Sequence, residues 1–397
     1  MAGALPEGEP VPRDGSLPAS ARVSGQFGVY VHVPFCASRC GYCDFNTYTA
    51  TELGGGASRD EYADTVLQEV RFAGGIVDQR VQTVFFGGGT PTLLSPRDLG
   101  RILEGIDRTW GLAADAEITT EANPESVSPR TLAQLRTAGF NRISLGMQSA
   151  SAGVLAILDR KHTAGRATQA ATEAREAGFE HVNLDLIYGT PGETADDFAA
   201  SLAAVIAAGV DHVSAYSLIV EDGTRIAARM RRGELPLPSD DVAADRYLAA
   251  DRTLSAAGFS WYEVSNWATT PQAQCRHNRL YWTGGHWWGF GPGAHSHVDG
   301  VRWWNVKHPV PYAKRLAEGV SPGLGRELLT AEDRQVEDVM LRLRLAEGLP
   351  LTVADPVGAE KALVNGLLDP AAYERGRAVL TLQGRLLADA VVRDLLP

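Results

Sequence analysis

Residues 27–43 read Phe-Gly-Val-Tyr-Val-His-Val-Pro-Phe-Cys-Ala-Ser-Arg-Cys-Gly-Tyr-Cys. The first seven are mostly β-branched or aromatic, the composition of a buried strand, and Pro34 ends the run. Cys36, Cys40 and Cys43 follow at once with C-x3-C-x2-C spacing. Three thiolates so spaced can wrap one loop around three irons of a 4Fe-4S cubane, leaving the fourth iron open to a substrate or cofactor. Structural zinc wants four ligands, more often in C-x2-C pairs, and three unrelated buried thiols are the remaining alternative. The chain has 4 Cys in 397 residues, too few for a disulfide framework, which points to a metal site in a reducing compartment.

Working outward, short apolar runs alternate with longer helical patterns from residue 27 to about 265. Six strands are expected: Phe27–Val33, Gln82–Phe86, Ala116–Glu121, Asn141–Met147, His181–Ile187 and Asp211–Leu218. Ser128-Pro129, then Leu132, Leu135 and Gly139, give a helix an N-cap, a first-turn proline, an apolar spacing and a C-terminal glycine. Helix exits recur at Gly139, Gly178, Gly209 and Gly258, each followed by an apolar residue. Repeated strand-helix units imply an α/β fold, a partial (β/α)6 TIM-like barrel, with a flat doubly wound sheet as the alternative.

Three regions are expected. Residues 1–25, rich in Pro, Gly and Ser, read as a flexible N-terminal tail, and 26–265 as the barrel. Residues 266–397 form a C-terminal region, aromatic and glycine-rich over 266–320 and mostly helical over 321–397. The last part reads as winged-helix-like, with a short hairpin over Val379–Ala388 turning near Gly384.

The 37 Lys+Arg against 48 Asp+Glu give a net charge of −11, which disfavours general capture of nucleic acid or anionic membrane. The longest apolar stretch, Phe198–Val210, is interrupted by Ser201 and too short to span a bilayer, so no transmembrane anchor is expected. The opening segment lacks the apolar core of a signal peptide, and a cytoplasmic monomer or homodimer is expected.

A second motif stands at the end of the second strand: Phe86-Gly87-Gly88-Gly89-Thr90-Pro91. Its glycines let the backbone approach a ligand closely. Glu121, Gln148 and Asp185 lie at or near later strand ends, where barrel chemistry gathers. With Tyr42 before the last cysteine, the two motifs resemble the radical S-adenosylmethionine (SAM) superfamily, and most closely its branch containing oxygen-independent coproporphyrinogen III oxidase. The resemblance implies Cys36, Cys40 and Cys43 on a 4Fe-4S cluster, with SAM on its open iron. It implies a SAM pocket of Tyr30, Tyr42, Gly88, Gly89, Thr90, Glu121, Gln148, Arg160, Asp185 and Ile219.

Two features separate members of that branch. The oxidases carry a further cysteine two residues after the cluster motif, where this chain has Phe45. The stretch His277-Asn278-Arg279-Leu280-Tyr281-Trp282 matches the H-N-x-x-Y-W pattern of the HemW-type haem chaperones, which the chain resembles. That resemblance implies haem as a further cofactor, with His277 as candidate ligand and Cys275 as a competing thiolate. It implies delivery to an acceptor protein such as a membrane respiratory enzyme, without oxidase activity. The competing view makes His277 a core hydrogen-bonding residue, and the alternative function is the oxidase itself.

Overall fold

The computed structural model describes residues 8–19, 21–50, 52–53 and 58–396. One sheet dominates it. Its strands in chain order begin β1 Glu9–Pro10, β2 Phe27–Val33, β3 Val81–Gly88, β4 Leu112–Ala122, β5 Arg142–Gln148, β6 His181–Tyr188 and β7 His212–Ser217. They continue with β8 Ser260–Glu263, β9 Asn266–Ala268, β10 His286–Phe290, β11 His295–Val298, β12 Val301–Asn305 and β13 Gly323–Leu328. The strand order is β1-β13-β12-β11-β10-β2-β3-β4-β5-β6-β7-β9-β8.

From β2 to β7 the strands are parallel and in sequence order, without the reversal that defines a doubly wound sheet. The barrel stays open because β2 turns its other edge to β10 and β7 pairs with β9. Each expected strand overlaps one of these six, with ends that differ by at most a few residues. The helix after Ser128 runs Pro129–Thr137 with a capping box, and Gly139, Gly178, Gly209 and Gly258 all have positive φ, between 64° and 104°.

Alternation along the strands separates two environments. Val29, Val31, Val84 and Phe86 face the covering helices in the main core. Inside the barrel the Tyr30 and Phe85 rings stack, and Ser144, Asn183, Asp185 and Ser214 form a hydrogen-bonded group that gives it a polar lining.

Three expectations about organisation are corrected. Residues 8–19 form no free tail: Glu9 and Pro10 pair with Arg326 and Gly325, and Val11 and Leu17 pack on the main core. A two-residue strand containing proline covers the edge of β13 without offering an edge of its own; residues 1–7 and 20 lie outside the described residues. Next, the aromatic stretch is no appended region, since β10 pairs in parallel with β2 and carries the sheet across the expected boundary at 265/266. β13 likewise places the start of the expected helical part in the sheet. A separate core begins only around Val339, Leu343 and Leu349.

Finally, Val379–Ala388 is not a hairpin. Thr381 caps a helix at Leu382–Leu386, and a Cβ on Gly384 would meet the Leu367 carbonyl oxygen at 2.0 Å. The glycine serves close packing there, not a turn. No helix among the described residues is long and apolar enough to cross a membrane.

Candidate functional site

The cysteine loop leaves the C-terminal end of β2 and is closed on itself by Cys36 N–H to Tyr48 O (3.0 Å) and Tyr48 N–H to Pro34 O (2.7 Å). All three thiols are half-buried and free. Burial, reinforced by Cys43, pushes Cys36 up to about 11, and burial raises Cys43 as well. Arg160 reaches Cys40: Nη1 donates to Sγ at 3.3 Å while Nη2 donates to Gly146 O at 2.8 Å. The Arg160 Nε is buried without a partner.

The glycine triplet lies directly against this loop. A Cβ on Gly89 would sit 2.4 Å from Phe35 O and 2.9 Å from Cys36 Sγ. Gly88 adopts φ 114°, a conformation that only glycine takes readily, and donates its N–H to Glu121 Oε2 at 3.1 Å. Thr90 N–H donates to Phe35 O at 2.8 Å.

Below the loop, Glu121 and Asp185 face the interior. Burial, then the charge of Asp185, pushes Glu121 up to about 8; burial also raises Asp185, which accepts from Ser144 (2.9 Å) and Asn183 (2.7 Å). Tyr30 Oη stands 3.1 Å from His32 Nδ1, and His32 Nε2 lies 2.8 Å from Asn46 O. Gln148, at φ 66°, approaches Arg160 over Gly146, where a Cβ would meet Gln148 Nε2 at 2.8 Å and Arg160 Nη2 at 2.9 Å. Tyr42 packs against the apolar cluster that includes Val154, Leu158, Leu218 and Ile226, and burial raises its phenol. Ile219, 69% exposed, lies just past β7 at the rim.

These residues fit the expected groups. Three unpaired thiols on one loop, one beside a buried guanidinium, are a donor set for iron and sulfide. Structural zinc takes four ligands on one ion, one more than this loop offers. A cubane spreads its ligands over three irons. Two carboxyl groups raised by burial, beside bare glycine backbone, match a ligand with ammonium and hydroxyl groups.

The radical SAM superfamily model matches residues 30–205. Heme chaperone HemW of Mycobacterium tuberculosis is 56% identical over 385 residues, spanning 96% of this chain and 97% of the relative. HemW of Bacillus subtilis is 33% identical over 379 residues, spanning 91% and 97%. The chain belongs to the HemW family of radical SAM proteins. Among solved structures, Escherichia coli coproporphyrinogen III oxidase (HemN) superposes with a TM-score of 0.78 at 24% identity, covering 93% of this chain and 89% of that one. At that identity the likeness establishes the fold.

Membership of the radical SAM superfamily implies SAM and a 4Fe-4S cluster. The H-N-x-x-Y-W stretch lies on the helix Arg276–Trp282, which plugs the barrel floor at the N-terminal ends of the strands. His277 is 1% exposed. Its Nδ1 lies 2.8 Å from Thr83 Oγ1 and its Nε2 2.8 Å from Tyr281 Oη, and its ring stacks on Phe85 at 5.2 Å. Both ring nitrogens are therefore engaged. Burial lowers this imidazole to about 3, so it stays neutral. Cys275 is buried too, its Sγ 3.7 Å from Glu117 Oε1. Neither candidate haem ligand of this chain faces open space, and His277 is placed as a core hydrogen-bonding residue.

The barrel floor rests on residues that sequence reasoning missed. Glu117 accepts the N–H groups of Arg276 and His277, each at 3.0 Å, and so caps the helix. Arg142, also buried, stands 3.7 Å from Glu117 and donates to Ala273 O at 2.8 Å. Glu263 accepts from Asn266, Asn278 and Trp282. Only an acidic residue at an interior-facing strand position hinted at Glu117; Arg142 and Glu263 carry no local signal.

Proposed function

We propose that this chain is a haem chaperone that carries a SAM-ligated 4Fe-4S cluster and delivers haem to acceptor proteins such as respiratory enzymes in the cytoplasm. Its near-full-length identity to proteins named heme chaperone HemW carries the reading. Phe45, 60% exposed at the position where the oxidases carry a further cysteine, counts against propionate decarboxylation.

In this reading Cys36, Cys40 and Cys43 hold the cluster and Arg160 stabilises the Cys40 thiolate. The Gly88, Gly89 and Thr90 backbone takes the amino-acid end of SAM. Glu121 and Asp185 accept its hydroxyl and ammonium protons, Tyr30, Tyr42 and Gln148 shape the walls, and Ile219 covers the rim. When bound, the cluster supplies an electron to the SAM sulfonium. The four free thiols accord with a reducing compartment.

The test is anaerobic reconstitution followed by haem titration and by incubation with coproporphyrinogen III, SAM and reductant. Stoichiometric haem binding and passage to an apo-acceptor, with no protoporphyrinogen formed, are expected. Protoporphyrinogen formation would replace this reading with the oxidase.

A further inference from the structure

We propose that His212 is a positioning residue for SAM: acting through Asn183, it aims the donor that holds the Asp185 carboxylate ready for the cofactor. This inference deepens the SAM reading above and rests on Asp185 meeting that cofactor.

Strand register builds the row. Ser144 pairs with Asn183 and Asn183 with His212, so the three side chains stand side by side inside the barrel on β5, β6 and β7. Asp185 lies two residues beyond Asn183 on β6 and faces the same interior. His212, Asn183 and Tyr262 are all buried, so their polar atoms answer to one another rather than to bulk water.

The direction of each bond follows from the carboxylate outward. An ionised Asp185 only accepts, so the Asn183 amide turns Nδ2 toward it at 2.7 Å and Oδ1 away. The Ser144 and Ser214 hydroxyls, at 2.7 and 3.1 Å from Nδ2, rotate to suit either orientation of the amide. His212 does not: its Nδ1 stands 2.7 Å from Oδ1 and must donate. Burial, then the charges of Arg142 and His181, hold this imidazole well below its usual range, so it is neutral with its one proton on Nδ1. Nε2 is left as an acceptor, which Tyr262 Oη fills at 2.7 Å. The phenol oxygen in turn accepts Cys275 N–H at 3.1 Å, one residue ahead of the floor helix. A backbone amide donates and never accepts, so both ends of the line agree on one direction.

That direction matters to Asp185. Burial works against its charge, and of the groups that face it, Glu121, Tyr42, Tyr216 and Arg160, the guanidinium alone favours ionisation. Donors aligned toward the carboxylate polarise one another and favour its anionic form. Without His212 the Asn183 amide is free to turn, which would set its oxygen against the carboxylate.

The experiment is SAM binding to the anaerobically reconstituted full-length protein, read by equilibrium dialysis and by the change SAM makes in the EPR spectrum of the reduced cluster. Asp185→Asn should weaken binding. His212→Leu fills the buried space without a donor and should weaken SAM about tenfold, with iron and sulfide content unchanged. His212→Asn puts an amide N–H near the place of Nδ1 and should recover most of the affinity, whereas a role in packing alone would favour leucine over asparagine. Tyr262→Phe, which removes the far donor, should fall between wild type and His212→Leu. Wild-type affinity in folded His212→Leu, or in Tyr262→Phe should the leucine variant not fold, overturns the inference and leaves Asp185 as a SAM contact. So does a His212→Asn variant no better than His212→Leu. Wild-type affinity in Asp185→Asn overturns the SAM reading of Asp185 and this inference with it.

Discussion

The Glu117 carboxylate accepts the backbone N–H of His277 at 3.0 Å, so an interior residue of a barrel strand caps the helix that carries the H-N-x-x-Y-W pattern. Glu117→Ala would strip that cap and leave the buried Arg142 guanidinium without its carboxylate. Removing one member of a buried charged pair costs about 3–5 kcal/mol. Denaturant unfolding of the variant should show a loss of that order. A loss below about 1 kcal/mol would mean that the clamp adds little to what packing already supplies.

Glu121 should leave a mark on the pH dependence of stability. Its carboxyl is raised by burial and by Asp185 from 4.5 to about 8, so between those values the folded chain keeps a proton that the unfolded chain has released. Stability therefore falls as pH rises through that window. Glu69 and Glu193, both raised to about 7, add to the slope at lower pH. Glu121→Gln should flatten a plot of Tm against pH most clearly between 7 and 8. A variant profile parallel to the wild type would show that this carboxyl ionises normally.

Gly89→Ala tests the contact between the glycine triplet and the cysteine loop. The new methyl would overlap Phe35 O at 2.4 Å, and backbone cannot yield as a side chain can. A destabilisation of about 1–3 kcal/mol is expected, with iron and sulfide content after reconstitution well below wild type. Gly153→Ala, whose methyl would come no closer than 3.7 Å to Ser151 Oγ, is the control and should reconstitute normally. Equal iron content in both variants would show that the triplet does not support the loop.

Arg160→Met removes the cation 3.3 Å from Cys40 Sγ. Partners that orient a metal ligand are worth about tenfold or more in metal affinity. Iron–sulfide absorbance should decay correspondingly faster under a chelator, with Arg160→Lys intermediate. Identical decay in all three proteins would remove Arg160 from support of the cluster.

Where structure depends on near neighbours, the residues were readable. The strand Phe27–Val33 and the Ser128 cap needed only alternation, a hydroxyl and a proline. The cysteine spacing and the glycine triplet were equally plain, because both motifs are built within one loop. What escaped depends on chain that is distant in sequence. Glu9 reads as tail until Arg326 pairs with it, and Gly384 reads as a turn until the Leu367 carbonyl packs against it.

By itself the sequence determined the α/β repeat, the three-thiol loop and the family, since periodicity, caps and ligand spacing are local properties of the chain. The tertiary structure alone decided what each polar group faces. It turned His277 into the barrel floor, where Thr83 and Tyr281 take both ring nitrogens, and left the His295 imidazole open on Trp304. The two histidines are the same residue type; strand register and burial, set by residues far away in the chain, separate a packed side chain from an exposed one.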